Sequence, residues 1–168
     1  MVNMISKHLR CLNQYSGRES RGEFWPWVGV TIALYLLLFM GSVALLFAQI
    51  SSGNEESPVP VLSLIFTMNG IAIAAILALL AAAVVRRLHD SNRTGAWGLL
   101  PLPSLVIALV LMPEISAGTP NNPEPDMDLF FVLFFNNMIY LVLLIVLIVM
   151  CAKPGTIGDN RFGPPSTN

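Results

Sequence analysis

Residues 129–152 read LFFVLFFNNMIYLVLLIVLIVMCA, 24 positions with no charged side chain. At 1.5 Å per residue such a helix is about 36 Å long, more than the roughly 30 Å hydrocarbon core of a bilayer. It is apolar all round, which marks a helix surrounded by nonpolar material. Three more charge-free runs precede it. Phe24–Asn54 has 31 residues, Ser57–Val85 has 29 and Thr94–Pro113 has 20. The four runs predict an all-α fold, a four-helix transmembrane bundle with spans at about 24–48, 60–85, 96–113 and 129–151. The third differs from the rest because Pro101 and Pro103 sit inside it, after Gly95 and Gly98. Proline removes a donor and bends a helix. This segment is therefore expected to begin as a short interfacial turn and to become regular helix only after Pro103.

The totals agree. Of 168 residues, 55% are hydrophobic and only 11% are charged, against about a quarter charged in ordinary soluble chains. Mean hydropathy is +0.69. A disordered chain is excluded, and so little charge does not cover a soluble surface. A net charge of −1 argues against nucleic acid as a partner. Cys11 and Cys151 are too few for a disulfide scaffold, and no Cys/His set has zinc spacing. No metal and no cofactor is expected. The first run is longer than the apolar core of a cleaved leader, about 7–15 residues, and is read as retained.

Charge gives the sidedness. Lys7, Arg10, Arg18 and Arg21 precede the first run; Arg86, Arg87 and Arg93 lie between the second and third; Lys153 and Arg161 follow the fourth. The other two loops carry Glu55, Glu56, Glu114, Glu124, Asp126 and Asp128 and no cation. Short basic loops stay in the cytoplasm. The expectation is a single integral domain, 1–168, with segment 1–23 and tail 152–168 both cytoplasmic, free thiols, and an acidic polar excursion at 114–128 outside. Within 1–15, Val2, Ile5, Leu9 and Leu12 recur at helical spacing beside His8, predicting a short amphipathic helix on the inner leaflet.

No Asp, Glu, Lys, Arg or His lies within a span, which weighs against a proton-coupled pump. Gly70, Ala74, Ala78 and Ala82 recur every four residues, a ridge that lets helix backbones approach closely. Asn69 lies 17 positions before Arg86, and Asn137 lies 16 before Lys153. Both therefore fall at the same depth, roughly 25 Å from the cytoplasmic edge. Because a lone amide in lipid is costly, Asn69 or Thr67 is expected to bond Asn136 or Asn137.

Three cytoplasmic motifs stand out. They are Gly17-Arg18-Glu19-Ser20-Arg21-Gly22-Glu23-Phe24-Trp25, the loop Arg86-Arg87-Leu88-His89-Asp90-Ser91-Asn92-Arg93-Thr94, and the tail Gly158-Asp159-Asn160-Arg161-Phe162-Gly163-Pro164. In this order they resemble the bacterial inner-membrane family called domain of unknown function 805, over nearly the whole chain. Gly22, Ala96-Trp97 and the length of the acidic loop depart from its usual pattern. The resemblance implies a helical inner-membrane protein and supplies no activity.

The motif residues themselves permit two readings. One is anchoring, with the arginines neutralised by Glu19, Glu23, Asp90 and Asp159, and with Trp25, Trp27 and Trp97 as an interfacial belt. The other is a binding cluster made of Arg18, Arg21, Glu23, Arg86, Arg87, His89, Asp90, Arg93, Asn160 and Arg161. That cluster suits an anionic lipid headgroup, a membrane-protein partner or a second copy of the chain. Adjacent His89 and Asp90 diverge by about 100° on a helix and make no dyad on their own, so no catalytic residue is assigned. Asp90 is expected to cap a turn or pair with an arginine, His89 to meet a backbone carbonyl or Trp97, and Arg161 to reach Glu23 or Asp90. The preferred function is a binding, scaffold or accessory protein. The alternatives are a transporter or channel lined by Asn69, Asn136, Asn137 and Tyr140, and a lipid-modifying enzyme using His89 or Asp90.

Overall fold

The computed structural model describes residues 2–52, 59–117 and 126–165. The described residues are helical and contain no strand, only one isolated bridge between Asn160 and Gly163. In order, α1 is Val2–Arg10, α2 is Arg21–Ser51, α3 is Val59–Asp90, α4 is the 3-10 turn Gly95–Leu99, α5 is Leu102–Ala117 and α6 is Met127–Ala152. Three of these, α2, α3 and α6, are long and apolar enough to cross a membrane. The fourth expected span is the two-part segment α4–α5. Its regular portion has 16 residues, about 24 Å of helix. The break falls at Pro101, and regular helix resumes at Leu102, earlier than the expected start after Pro103. Pro101 lies in the gap between α4 and α5, and Pro103 sits in the first turn of α5, where a missing N–H costs nothing. The acidic excursion lies largely outside the described residues.

α3 is the hub, packed against α2, α4 and the end of α6, while α5 lies along α6. Small residues explain the closeness. Ala82 and Ala83 are buried, and a Cβ on Gly95 would stand 2.7 Å from Val85 Cγ1. The expected ridge is only partly a seam, since Ala82 is buried but Ala74 and Ala78 are exposed. α2 buries a narrow face, Phe24, Trp27, Thr31 and Ser42, and the Trp27 indole N–H donates to the Leu79 carbonyl at 3.2 Å. The outward faces stay apolar: Leu37, Phe47, Ile71 and Val110 are all more than 60% exposed. In water that surface would be unstable; against lipid tails it is unremarkable.

The core is concentrated at one end of the bundle. Phe24, Trp27, Ala83, Leu88, Leu147 and Cys151 form one buried cluster, and all lie at the end of α2, α3 or α6 that carries the basic motifs. α1 docks there too, through Ile5 and through His8, whose ring stacks on Trp27 at 4.7 Å.

Candidate functional site

The C-terminal ends of α3 and α6 and the N-terminal end of α2 meet. Helix C-termini leave four carbonyls without partners, and here arginines supply the donors. Arg87 is fully buried. It donates through Nε to the Cys151 carbonyl at 2.7 Å, through Nη1 to the Glu19 carbonyl at 3.3 Å and through Nη2 to the Lys153 carbonyl. Its Nη1 also meets Asp90 Oδ2 at 2.5 Å. Arg86 closes the end of α1 by donating to the Cys11 and Gln14 carbonyls at 3.0 and 2.6 Å, and it pairs with Glu19 at 2.7 Å. Arg18 brings in the tail, with bonds of 2.7 and 2.6 Å to the carbonyls of Gly158 and Thr156 and an ion pair of 2.9 Å with Asp90 Oδ1.

Each motif thus contributes one part of a single lock. Asp90 holds two arginines, one from its own helix and one from the segment before α2. Glu19 holds Arg86 on one oxygen and His8 Nε2, at 2.9 Å, on the other. Arg18, Glu19, Arg87 and Asp90 are each 9% exposed or less. Among the described residues, no buried side-chain nitrogen or oxygen lacks a partner. Charges buried this deeply are tolerable only when paired and fully hydrogen-bonded. Gly155 is a glycine for the same reason: a Cβ there would lie 2.1 Å from Asp90 Oδ2.

The tail folds onto this lock. Thr156 N–H donates to the Asp90 carbonyl at 2.9 Å, and Asn160 Nδ2 donates to the His89 carbonyl at 3.0 Å and to Thr156 Oγ1 at 2.9 Å. The His89 ring lies flat on Phe162, 3.8 Å between centroids, and its Nδ1–H donates to the Gly17 carbonyl at 3.2 Å. Burial, aided by the positive Arg161, holds the His89 pKa below its ordinary value, against the opposing pull of the Gly17 bond.

Of the expected binding residues, the lock absorbs Arg18, Arg86, Arg87, Asp90 and Asn160. Glu23 takes Lys7. Arg161 reaches the Asn92 carbonyl at 3.1 Å and lies over Phe162. It does not reach Glu23 or Asp90, because Asp90 is already shared by two arginines beneath the tail. His89 finds a carbonyl as expected, but its ring partner is Phe162 and not Trp97. Arg21 and Arg93 have no side-chain partner among the described residues; Arg21 is exposed and Arg93 half-buried. Glu19 neutralises Arg86, in keeping with the anchoring reading, whereas His8 belongs to the site with no role assigned to it from the sequence. The available signal was a titratable ring on the apolar face of α1, which has to be buried and therefore paired.

The deep polar residues stay apart. Asn69 Nδ2 donates to Ser42 Oγ at 3.2 Å and to the Ile65 carbonyl at 2.9 Å, whereas Asn136 Nδ2 donates to the Ser104 carbonyl at 2.9 Å. Thr67 Oγ1 turns back to the Ser63 carbonyl at 2.8 Å, and Asn137 is exposed. The expected bond between the amides of α3 and α6 is not formed. α3 pairs with α2 and α6 with α5, so the shared depth does not bring them together. Beside the lock an apolar cavity of about 540 Å³ opens between α2, α3, α4, α5 and α6. Among the described residues there is no group of three or more His, Cys, Asp or Glu side chains able to hold a metal.

A family model described as "Protein of unknown function (DUF805)" matches residues 12–164. Two relatives, each called "Uncharacterized protein YiiR", from Escherichia coli strain K12 and Escherichia coli O157:H7, are 28% identical over 153 residues. The match covers 90% of this chain and 85% of each relative. No solved structure matches the chain.

Proposed function

The chain belongs to the DUF805 family, and from that premise we propose a small integral protein of the bacterial inner membrane that acts by binding, as a scaffold or accessory subunit. The reading has four spans, at about 24–48, 60–85, 96–113 and 129–151, with both termini in the cytoplasm and α1 lying on the inner leaflet. All nine Lys and Arg residues then occupy the cytoplasmic side, as short basic loops require. The segment α4–α5 is the fourth span, shallow at its cytoplasmic end because of the prolines.

One observation carries the binding function. The three motifs converge in a lock whose polar groups are spent on one another, so the lock positions the rim and leaves Arg21, Arg93 and Arg161 outward. A transporter path through Asn69 and Asn136 is not favoured, because those amides bond on separate helix pairs. A lipid-modifying enzyme is not favoured either, since Asp90 is held by two arginines.

The test places a photo-crosslinking amino acid at position 93 or 161 in native membranes. Defined lipid or protein adducts that vanish with Arg21→Gln are the expected result. Normal insertion with no adduct at either position, together with ion or solute flux in liposomes, overturns it.

A further inference from the structure

We infer that the apolar cavity beside the lock holds one acyl chain of an inner-leaflet phospholipid whose phosphate rests on Arg21 and Arg93. The inference rests on the membrane reading above and names the ligand of that same cytoplasmic rim. Its first support is size. The cavity is about 540 Å³, within the range of about 300–1,000 Å³ typical of sites for small ligands. At roughly 30 Å³ for each water-sized group, it admits about eighteen such groups.

Its second support is depth. The lining runs from Phe24 to Ile32 on α2, from Val85 to Leu77 on α3 and from Cys151 to Tyr140 on α6. At 1.5 Å per residue those stretches span about 10–17 Å, and one leaflet of a roughly 30 Å core is about 15 Å. The cavity begins at the locked end and stops at mid-bilayer, so it matches a chain anchored at the cytoplasmic surface.

Charge is the third. Arg21 lies four residues before the lining Trp25, one helical turn away, and Arg93 lies two residues before the lining Gly95. Neither has a side-chain partner among the described residues. The carboxylates close by are engaged: Asp90 by Arg18 and Arg87, Glu19 by Arg86 and His8, and Glu23 by Lys7. Two cations at headgroup depth above an apolar slot fit a phosphate joined to a hydrocarbon chain.

The test is native mass spectrometry of the full chain from detergent, back-titrated with dioleoyl phosphatidylglycerol or dioleoyl phosphatidylcholine. One phosphatidylglycerol is expected to be retained in preference. Arg21→Gln with Arg93→Gln lowers that retention about tenfold or more. Ala81→Phe, which fills the slot from α3, abolishes it. Leu144→Trp blocks the same space from α6 and replaces Ala81→Phe if that variant loses helix content. Equal retention of the two lipids, retention unaffected by either blocking variant, or full displacement by millimolar inorganic phosphate overturns the inference. A chain that stays monodisperse in buffer without detergent refutes the membrane reading itself; a micelle-bound chain without lipid preference sinks only the lipid site.

Discussion

Arg18 and Asp90 stand 72 residues apart in the chain and meet at 2.9 Å. The segment leading into α2 is thereby tied to the end of α3, and Arg18 passes the tie on to the tail through the Thr156 and Gly158 carbonyls. Since Asp90 also holds Arg87, one carboxylate compensates two buried guanidinium groups. Removing one partner of a buried pair costs about 3–5 kcal/mol. Asp90→Asn keeps the shape and removes the charge, so it is expected to lower stability by about that much. Thermal unfolding in detergent measures it. In a double-mutant cycle Arg18→Gln and Asp90→Asn are expected to couple by about 0.5–3 kcal/mol. Independent effects would show that the pair contributes nothing as a pair.

Gly155 gives a second prediction, of the opposite kind, because nothing is removed. An alanine methyl at this position meets the Asp90 carboxylate 2.1 Å away. Either the tail lifts or Asp90 leaves its arginines, and overpacking of this sort costs about 1–3 kcal/mol. Gly155→Ala is expected to expose the segment after Lys153 to protease while helix content stays the same. By contrast, Gly41→Ala, where a Cβ meets nothing within 4 Å, serves as the silent control. Equal protease sensitivity in the two variants would separate the tail from the lock.

The sequence made the three long apolar helices legible and the lock only half so. Charge-free runs are set by the length a bilayer demands, and that length can be counted directly; the break at Pro101 follows from proline having no N–H. The residue types of the lock were also visible, since buried arginines need carboxylates and Glu19 and Asp90 are among the few in the basic segments. Partner choice was not visible. Arg161 and Arg18 are chemically alike, yet only Arg18 reaches Asp90, because the positive φ of Gly17, Gly158 and Gly163 turns the chain in ways that residue spacing does not encode. The deep amides failed for a related reason. Depth fixes one coordinate of Asn69 and Asn136, whereas contact also needs the helices to be neighbours.

Asn69 and Asn136 bond separate partners, Ser42 and the Ser104 carbonyl. Interhelical hydrogen bonds in membranes contribute about 0.6 kcal/mol on average and up to about 1.7. Asn69→Ala and Asn136→Ala are each expected to lose an amount in that range. Unfolding of the double variant in detergent should show the sum to within about 0.5 kcal/mol, as for sites without a shared partner. A coupling above 1 kcal/mol would restore the direct amide bridge.

His89 sets the pH dependence. Its ordinary value is 6.5, and burial is the largest cause holding it lower in the fold, with Arg161 adding to the effect. An unfolded chain therefore takes up a proton near pH 6.5, while the folded chain resists protonation until a lower pH. Between those two points the unfolded state carries more protons, so stability falls as pH drops; above pH 6.5 this residue adds no slope. His89→Gln keeps a side-chain donor for the Gly17 carbonyl and removes the titration. The difference in melting temperature between the native chain and this variant is expected to be constant from pH 8 to 7 and to shift against the native chain on going to pH 5.5. A difference that shifts in the native chain's favour on acidification would mean that the protonated ring is the one the fold prefers, with the Gly17 bond outweighing burial.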